Sequence, residues 1–324
     1  MKQLFSVIIV LLYGSLSAQK TPADFGYRHL KIDCKNDVAD VIIQSKKGEE
    51  NKKKPMLFWC QGSLPQPVLK YDEKGIYGTF PFNPDDFLTT YHLVIVGKPG
   101  VPVISDVKKL ERDYTYRDSQ GKTPKQYSEH NHLDFYVQRN NVILQRLLSE
   151  KWISDEKVVV AGHSEGSGIA AKMASENKAV THLIYSGGNP YGRILSIIAQ
   201  SRFYDSDNNT IEYWKAVVDN KNDLTSEESD SFKTTYDFSV PVNETIEKLK
   251  KPVLITYGTK DWNAAYNDMF YVEAIRKEIK NITFIPFPGL EHNYFPVNEK
   301  MEPNHQIYNW ENVGKEWVKW LTVN

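Results

Sequence analysis

The stretch Val158–Met173 constrains the fold of this chain most, because it reads as a buried strand, a sharp turn and a helix. The apolar run Val158–Ala161 is followed by the pattern G-x-S-x-G over Gly162–Gly166. Glycines on both sides of the central serine remove the Cβ atoms that a tight turn and a closely packed helix would exclude. A strand that turns directly into a helix is typical of α/β proteins, in which helices cover a mostly parallel sheet.

Ser164 stands at the centre of that turn. A serine in this position projects its hydroxyl above the carboxyl end of the strand, where it can act as a nucleophile. The helix behind it aims backbone N–H groups at the same point, so the N–H of Glu165 is a predicted donor to a developing oxyanion. The alternative is an ordinary turn between a strand and a helix, without a chemical role.

Apolar segments and helical patterns alternate along the rest of the chain, which predicts a mostly parallel sheet with helices on both faces. The first two strands are expected to pair antiparallel. The predicted strands are Tyr27–Asp33, Val38–Gln44, Met56–Cys60, His92–Val96, Val158–Ala161, Thr181–Ser186, Pro252–Tyr257 and Ile282–Pro286. The predicted helices include Asp134–Glu150, Asn267–Lys280 and Trp310–Leu321.

Two segments interrupt this alternation. Residues 98–131 form a long, irregular, polar stretch, and a loop of this length is expected to be functional or to pack over the site. Residues from about 189 to 250 are rich in aromatic and charged side chains, with helical patterns over Arg193–Arg202 and Thr210–Asp219. We expect them to form a helical cap over the site. The alternative is a solvated helical excursion packed on the rim.

A nucleophilic serine needs a histidine base, and the base needs a carboxylate that orients it. Asp261 follows the seventh predicted strand, and His292 follows the eighth. Both therefore lie at the carboxyl ends of strands, where open α/β sheets build their sites. The weaker alternatives are His305 in a polar tail and two aspartates of the predicted cap, Asp205 and Asp237.

The turn after the third predicted strand, Gln61–Ser63, is expected to supply the second oxyanion donor. Gly62 allows the backbone to approach a substrate closely, and either the N–H of Gly62 or that of Ser63 could point inward. The alternative is that these residues form a simple turn that donates nothing to an oxyanion.

The chain resembles the α/β-hydrolase superfamily from about Tyr27 to its C-terminal helix, and three motifs carry the resemblance. They are Gly162–Gly166, Gly258–Asp261 and Gly289–His292. The resemblance implies an eight-stranded, mostly parallel sheet and serine acyl transfer by Ser164, His292 and Asp261, without a metal or an organic cofactor. One departure is the turn after the third strand, which reads Gln-Gly where many lipases and esterases have His-Gly.

The first 18 residues are predicted to be a signal peptide rather than part of the fold. A basic start, a short apolar run over Leu4–Leu12 and small residues up to Ala18 fit a cleavable secretory signal. The apolar run is too short for a comfortable membrane span. We therefore expect residues 19–324 to form a secreted or periplasmic catalytic domain without a stable membrane anchor.

Two pairs of residues leave structural alternatives open. Cys34 and Cys60 are the two cysteines of the chain, and they either pair in an oxidising compartment or remain buried thiols. His130 and His132 hint at a metal site, but two alternating histidines without carboxylates at ligand spacing are more typical of loop residues.

The net charge and the three predicted catalytic residues narrow the range of functions that the chain can have. The formal net charge is −1, so nothing indicates a nucleic-acid partner. The favoured hypothesis is hydrolysis of small-molecule or carbohydrate-linked esters. The first alternative is a peptidase of the aminopeptidase or prolyl-oligopeptidase type, in which acidic cap residues such as Glu212, Glu227 and Glu228 hold a substrate amine. The second is a catalytically silent binding protein on the same scaffold.

Overall fold

The computed structural model describes residues 20–35, 37–204, 209–225 and 230–324. The predicted signal peptide, residues 1–18, lies outside the described residues, and so do Asp205, Glu227 and Glu228. Within the described ranges, no helix combines the length and the apolar character needed to cross a membrane.

Two sheets make up the strand structure of the described chain. Their strands are β1 (Arg28–Asp33), β2 (Val38–Gln44), β3 (Lys54–Cys60), β4 (Leu69–Asp72), β5 (Gly75–Tyr77), β6 (His92–Val96), β7 (Ile104–Asp106), β8 (Ile153–His163), β9 (His182–Ser186), β10 (Val253–Gly258) and β11 (Ile282–Phe287). The larger sheet has eight strands in the order β1-β2-β6-β3-β8-β9-β10-β11, and the smaller has the order β5-β4-β7. In the larger sheet β2 pairs antiparallel with β1 and β6, and the other neighbours are parallel. The predicted eight-stranded sheet and its antiparallel first pair are confirmed.

β8 lies in the middle of the larger sheet because it is apolar on both faces. Val158 and Val160 pack into the core on one face, whereas Val159 and Ala161 pack into the core on the other. Successive side chains of a strand point to opposite faces, so a run of consecutive apolar residues needs cover on both sides.

Helices cover both faces, as the strand pattern requires. They are α1 (Asp85–Leu88), α2 (Lys125–His130), α3 (Leu133–Leu148), α4 (Glu165–Glu176), α5 (Arg193–Phe203), α6 (Thr210–Asp219), α7 (Phe232–Phe238), α8 (Asn243–Glu247), α9 (Ala264–Arg276) and α10 (Trp310–Val323). On one face, α3 and α4 bury Leu144 and Ile169 in the core. On the other, Trp317 of α10 packs against Trp59 of β3, with ring centroids 6.0 Å apart.

Two segments differ from the sequence prediction. Residues 98–131, predicted as irregular, contain β7 and α2, and β7 joins the small sheet. Helix α9 begins at Ala264 rather than Asn267, because the Asp261 carboxylate accepts the Asn263 N–H at 3.0 Å and so shapes the first turn. The helix ends at Arg276 and does not reach residue 280, because Glu278 adopts a left-handed φ of 53°.

Four helices, α5 to α8, connect β9 to β10 at the position where the sequence predicts a cap. Helices α6 and α7 contact each other through Trp214 and Tyr236, whose stacked rings have centroids 5.9 Å apart. Arg193 begins α5 and Phe238 ends α7, and both line the cavity that contains Ser164. The described part of this insertion therefore forms one wall of the candidate site.

Candidate active site

The turn between β8 and α4 holds Ser164 in a strained backbone conformation. Its φ is 56° and its ψ is −125°, a region that non-glycine residues rarely adopt. Its backbone N–H donates to the Ser186 carbonyl at 2.9 Å, which ties the turn to β9. The serine is thus fixed by main-chain contacts at the carboxyl end of the sheet.

Glycines at positions 162 and 166 make this turn possible. A Cβ on Gly162 would lie 2.0 Å from the Gly166 carbonyl oxygen, and a Cβ on Gly166 would lie 2.1 Å from the Cys60 carbonyl oxygen. Both distances are far below van der Waals contact with backbone that cannot move aside. The motif therefore reads as G-x-S-x-G for steric reasons at both ends.

Asp261 and His292 form a hydrogen-bonded pair beside this turn. The buried Asp261 carboxylate accepts from Nδ1 of His292 at 2.9 Å, which leaves Nε2 free to face a substrate or the serine. Burial of the imidazole opposes protonation, but attraction and hydrogen bonding to Asp261 outweigh it, so the pKa of His292 is raised. The ring can therefore take up a proton and have the resulting charge stabilised.

The sheet order explains why three residues far apart in sequence meet. Ser164, Asp261 and His292 follow β8, β10 and β11, which lie within four adjacent strands. Ser164 and His292 line one cavity of about 310 Å³ beneath the cap. No hydrogen bond joins these two side chains among the described contacts, and such bonds are often loose in substrate-free sites.

Of the three predicted oxyanion donors, Glu165 and Ser63 line this cavity. Glu165 starts α4 directly after the serine, and Ser63 lines the same cavity. Gly62 lies beside the elbow, where a Cβ would approach the His163 carbonyl oxygen to 3.9 Å. The Gln61 side chain donates to the Val96 carbonyl, so the glutamine that departs from the His-Gly pattern fastens this turn to β6.

Solved structures with a similar fold include esterases. Est1E from Butyrivibrio proteoclasticus matches with a TM-score of 0.52 at 15% identity, over 91% of this chain and 97% of its own. The esterase Pf2001 from Pyrococcus furiosus matches with a TM-score of 0.54 at 13% identity, over 95% of this chain and 93% of its own. The chain has the α/β-hydrolase fold.

Peptidases share this α/β-hydrolase fold. The acylaminoacyl peptidase from Pyrococcus horikoshii matches with a TM-score of 0.54 at 16% identity, over 92% of this chain but only 41% of its own. The chain thus spans less than half the length of that peptidase. No family model matches the sequence, and no curated protein matches it. Similarity at these identities establishes the fold alone, and a fold does not select a substrate.

The sequence reasoning used only the backbone of Glu165 and missed a buried charge network around its side chain. The Glu165 side chain is fully buried; one carboxylate oxygen lies 3.4 Å from Nζ of Lys98, and the other accepts from the Arg193 guanidinium. Arg193 also contacts Asp230 at 2.5 Å. We call these four residues the Glu165 network. The acidic residue directly after Ser164 was the one signal of this network in the sequence, because its partners are distant along the chain.

Electrostatics within the Glu165 network favour the ionised form of Glu165. Burial alone would raise its pKa, but the attraction of Lys98 and Arg193 reverses the effect, and the pKa is lowered. Asp230 is affected in the opposite direction: burial raises its pKa despite the neighbouring Arg193. The network therefore keeps an ionised carboxylate on the residue directly after Ser164.

The other candidate residues lie in structural positions. Asp237 pairs with Lys233 at 3.0 Å, and His305 packs on Phe295 at the surface, with ring centroids 4.6 Å apart. His130 donates through Nδ1–H to the Gln126 carbonyl of its own helix, 2.8 Å away.

His132, the second histidine of the possible metal site, caps α3 by accepting the Phe135 N–H at its Nδ1. Cys34 and Cys60 are free thiols, and burial raises the pKa of Cys60 to about 12. In the described chain, no group of three or more His, Cys, Asp or Glu side chains could hold a metal ion.

Proposed function

We propose that the protein is a serine hydrolase that cleaves carboxylic esters through a covalent acyl-enzyme. The observation that carries the proposal is the Asp261–His292 pair, which opens into the same cavity as a serine held in a strained turn. Ser164 is the nucleophile, His292 the base, and Asp261 the residue that orients the base.

The acylation step follows from these positions. The Ser164 oxygen attacks the acyl carbon while Nε2 of His292 takes the hydroxyl proton, and the Asp261 carboxylate stabilises the imidazolium. The N–H of Glu165, together with that of Gly62 or Ser63, binds the oxyanion, and each such donor lowers the barrier by about 3 kcal/mol. When the tetrahedral intermediate collapses, the imidazolium returns its proton to the leaving alcohol.

Deacylation repeats the same chemistry with water. His292 removes a proton from a water molecule as its oxygen attacks the acyl-enzyme. Collapse of the second intermediate breaks the bond to Ser164, and His292 returns the proton to the serine oxygen. The carboxylic acid leaves, and the site is restored.

The paired state of the described carboxylates that line the cavity of Ser164 favours an ester over an amino-terminal peptide as substrate. A peptidase that holds a free substrate amine needs an acidic group with unmet charge. Asp230 already contacts Arg193, Asp237 contacts Lys233, and Glu165 lies between two cations. The suggested amine-binding Glu212 pairs with Lys215 at 2.7 Å and does not line the cavity.

Labelling with a fluorophosphonate probe tests the nucleophile. We expect one adduct on the purified mature protein by intact mass, located on Ser164 and absent from Ser164→Ala and His292→Ala. Ser175→Ala, an exposed serine of α4, is the matched control and should label normally. Folded protein that takes up no probe would contradict the proposal and favour a silent binding protein.

Turnover of model substrates tests the bond type. We expect p-nitrophenyl esters to be cleaved much faster than aminoacyl p-nitroanilides. The reverse order would overturn the ester assignment in favour of a peptidase. Export of the chain by residues 1–18 is part of the proposal, and amino-terminal sequencing of the protein after expression with its native start tests it: a mature chain beginning near Gln19 is expected.

A further inference from the structure

His163 packs against the proposed base, although no step of the proposed mechanism uses its side chain. It ends β8 directly before Ser164, and it is buried, with 8% of its surface exposed. The centroid of its ring lies 4.9 Å from that of His292, with 40° between the two ring planes. Burying a polar side chain costs free energy unless it is hydrogen-bonded, so the position of this histidine requires an explanation.

Three other residues enclose the His163 ring. The ring of Trp310 meets it edge to face, with centroids 4.9 Å apart, and the centroid of the Tyr294 ring lies 5.7 Å away. A Cβ on Gly187 would lie 2.5 Å from Cε1 of His163, so a glycine at that position leaves room for the ring. Close packing of this kind leaves a side chain few other positions. The His292 imidazole therefore contacts a ring that is itself held in place.

A chain of buried hydrogen bonds fixes how the His163 ring is turned. Nδ1 of His163 lies 3.0 Å from the Ser186 hydroxyl, which lies 2.8 Å from the Tyr294 hydroxyl. Tyr294 donates its one hydroxyl hydrogen to the Thr256 hydroxyl at 3.0 Å. It therefore accepts from Ser186, and Ser186 accepts from His163, because each hydroxyl has a single hydrogen to donate. This order assigns the hydrogen of the neutral His163 imidazole to Nδ1.

The same chain of hydrogen bonds anchors the loop that carries His292. Tyr294 follows closely after the base, is fully buried and adopts a left-handed φ of 62°, which is uncommon for a bulky side chain. Its hydroxyl contacts Ser186 of β9 and Thr256 of β10. The loop of the base is thus fastened to these two strands, and the ring of His163 is fastened to one of them.

His163 is suited to this contact because it stays uncharged. Burial, and then the neighbouring His292, lower the pKa of His163 well below its usual range. Burial also opposes protonation of His292, but the carboxylates of Asp261 and Glu291 outweigh it, and the pKa of His292 is raised. A charged ring at position 163 would oppose the imidazolium that forms during proton transfer. An uncharged ring supplies the contact without that repulsion.

We infer that His163 is a positioning residue for the base: its ring holds the His292 imidazole in the orientation needed to take the proton of Ser164. The inference rests on the proposed ester hydrolysis and adds a residue to the same site. A displacement of the base by about 1 Å can lower the rate by about 10²-fold. His163 does not line the described cavity that contains Ser164, so its loss should affect kcat rather than KM.

Two substitutions separate the ring of His163 from its hydrogen bond. His163→Asn keeps a nitrogen near the position of Nδ1 and removes the rest of the ring. We expect kcat for p-nitrophenyl acetate to fall by about 10- to 100-fold, with KM unchanged. His163→Phe keeps a flat ring and loses the bond to Ser186, so kcat should fall less, by about threefold to tenfold. The matched control is His182→Asn, which should keep the parent kcat, because His182 is a buried histidine of β9 whose ring packs on Trp320.

Three further measurements distinguish positioning from a general loss of stability. The hydrogen that His292 donates to Asp261 should give a far-downfield proton resonance, which should broaden or disappear in His163→Asn and persist in His182→Asn. The midpoint of kcat/KM against pH should not move in His163→Phe, because the ring that is replaced carries no charge. Ser186→Ala removes the central hydroxyl of the chain and should also lower kcat at unchanged KM, so the inference stays testable if His163→Asn does not fold.

Several results would overturn the inference. Parent values of kcat in His163→Asn or, where that variant does not fold, in Ser186→Ala would show that the contact does not position the base. Equal losses in His163→Asn and His182→Asn would assign both residues to the general stability of the core. An upward shift of the pH midpoint in His163→Phe would show that His163 carries a charge beside the base. In all these cases the parent protein still cleaves the ester, whereas a parent that cleaves none and takes up no fluorophosphonate would reject the proposed function itself.

Discussion

Two charge clusters flank Ser164, and they differ in what their charges can do. On one side, Asp261 faces a single imidazole, His292, at 2.9 Å. On the other, the carboxylate of Glu165 lies between an ammonium and a guanidinium. The first cluster contains a group that gains and loses a proton near neutral pH. In the second, the pKa of Glu165 is lowered and that of Arg193 is raised, so both shifts favour the charged forms.

We expect the Asp261–His292 pair to take part in proton transfer and the Glu165 network to hold structural elements in place. To accept a proton, a group must exist in both a neutral and a protonated form. His292 has one carboxylate partner and partial access to solvent, which is compatible with both forms. The Glu165 network joins α4 at Glu165 to the cap at Arg193 and to the loop after β6 at Lys98. Buried ion pairs between separate elements hold those elements in a fixed arrangement, so we expect the network to position the backbone around Ser164.

Substituting Ser164 or His292, the two residues proposed to exchange a proton, should cause the largest loss of activity. Ser164→Ala and His292→Ala are each expected to reduce kcat for p-nitrophenyl acetate by about 10⁶-fold, and the double variant by a similar factor, because the two residues act as one unit. The measurement is steady-state kinetics with circular dichroism to verify folding. Strictly multiplicative losses in the double variant would contradict a shared proton transfer.

Weakening the Asp261–His292 pair should change how activity depends on pH. Asp261→Asn is expected to lower kcat by about 10⁴-fold, because the amide favours the wrong imidazole tautomer. In the parent protein, kcat/KM should rise with pH through the raised pKa of His292, since the neutral ring is the base. Loss of the carboxylate that raises this pKa should move the midpoint of the profile to lower pH. An unchanged midpoint would show that Asp261 does not control the titration.

The same pKa shift predicts a stability change of defined sign. The pKa of His292 is raised in the folded state, so its contribution is fully present below the unfolded pKa and is lost as pH rises through the folded value. Glu165 has a lowered pKa, so its contribution is present above the unfolded pKa and is lost as pH falls through the folded value. Urea unfolding of Asp261→Asn and Glu165→Gln against pH should therefore show losses at opposite ends of the range.

Breaking the Glu165 network should lower stability more than it lowers catalytic activity. Glu165→Gln leaves the ammonium of Lys98, whose side chain is only 3% exposed, without its carboxylate. We expect the free energy of unfolding to fall by about 3–5 kcal/mol, as for other buried pairs that lose one partner.

A double-variant cycle isolates the interaction between the two residues. Lys98→Met combined with Glu165→Gln should recover part of the stability lost in Glu165→Gln, because the uncompensated cation is gone. Additive losses would show that the two charges do not interact.

An exposed ion pair supplies the smallest effect and the control for burial. Lys108 contacts Glu73 at 2.6 Å, closer than Lys98 contacts Glu165, but both side chains are mostly exposed. Glu73→Gln should leave the urea midpoint unchanged within error, because solvent screens surface pairs. A loss comparable with that of Glu165→Gln would mean that distance rather than burial determines the strength of these pairs.

The same contrast explains which parts of the site the sequence could predict. Ser164 and its two glycines lie in one continuous segment, and each neighbour restricts the same turn. Asp261 and His292 were predictable because parallel strands place their following loops at one edge of the sheet. Strand pattern, loop position and chemistry all pointed to the same residues.

The Glu165 network could not be predicted, because its members come from separate elements. Glu165 lies 67 residues from Lys98 and 28 from Arg193 along the chain, and no periodicity links them. The small sheet was missed for another reason: its strands have three or four residues, too few to show an alternating pattern.

The position of β11 has a consequence for inactivation. This strand forms the edge of the larger sheet and pairs with β10 alone in the described chain, and the loop that follows it carries His292. Edges of sheets open locally at a lower free energy than the centre does. Heating should therefore displace His292 while the central strands remain folded, so that the half-life of activity, rather than the melting temperature, measures how long the protein stays active.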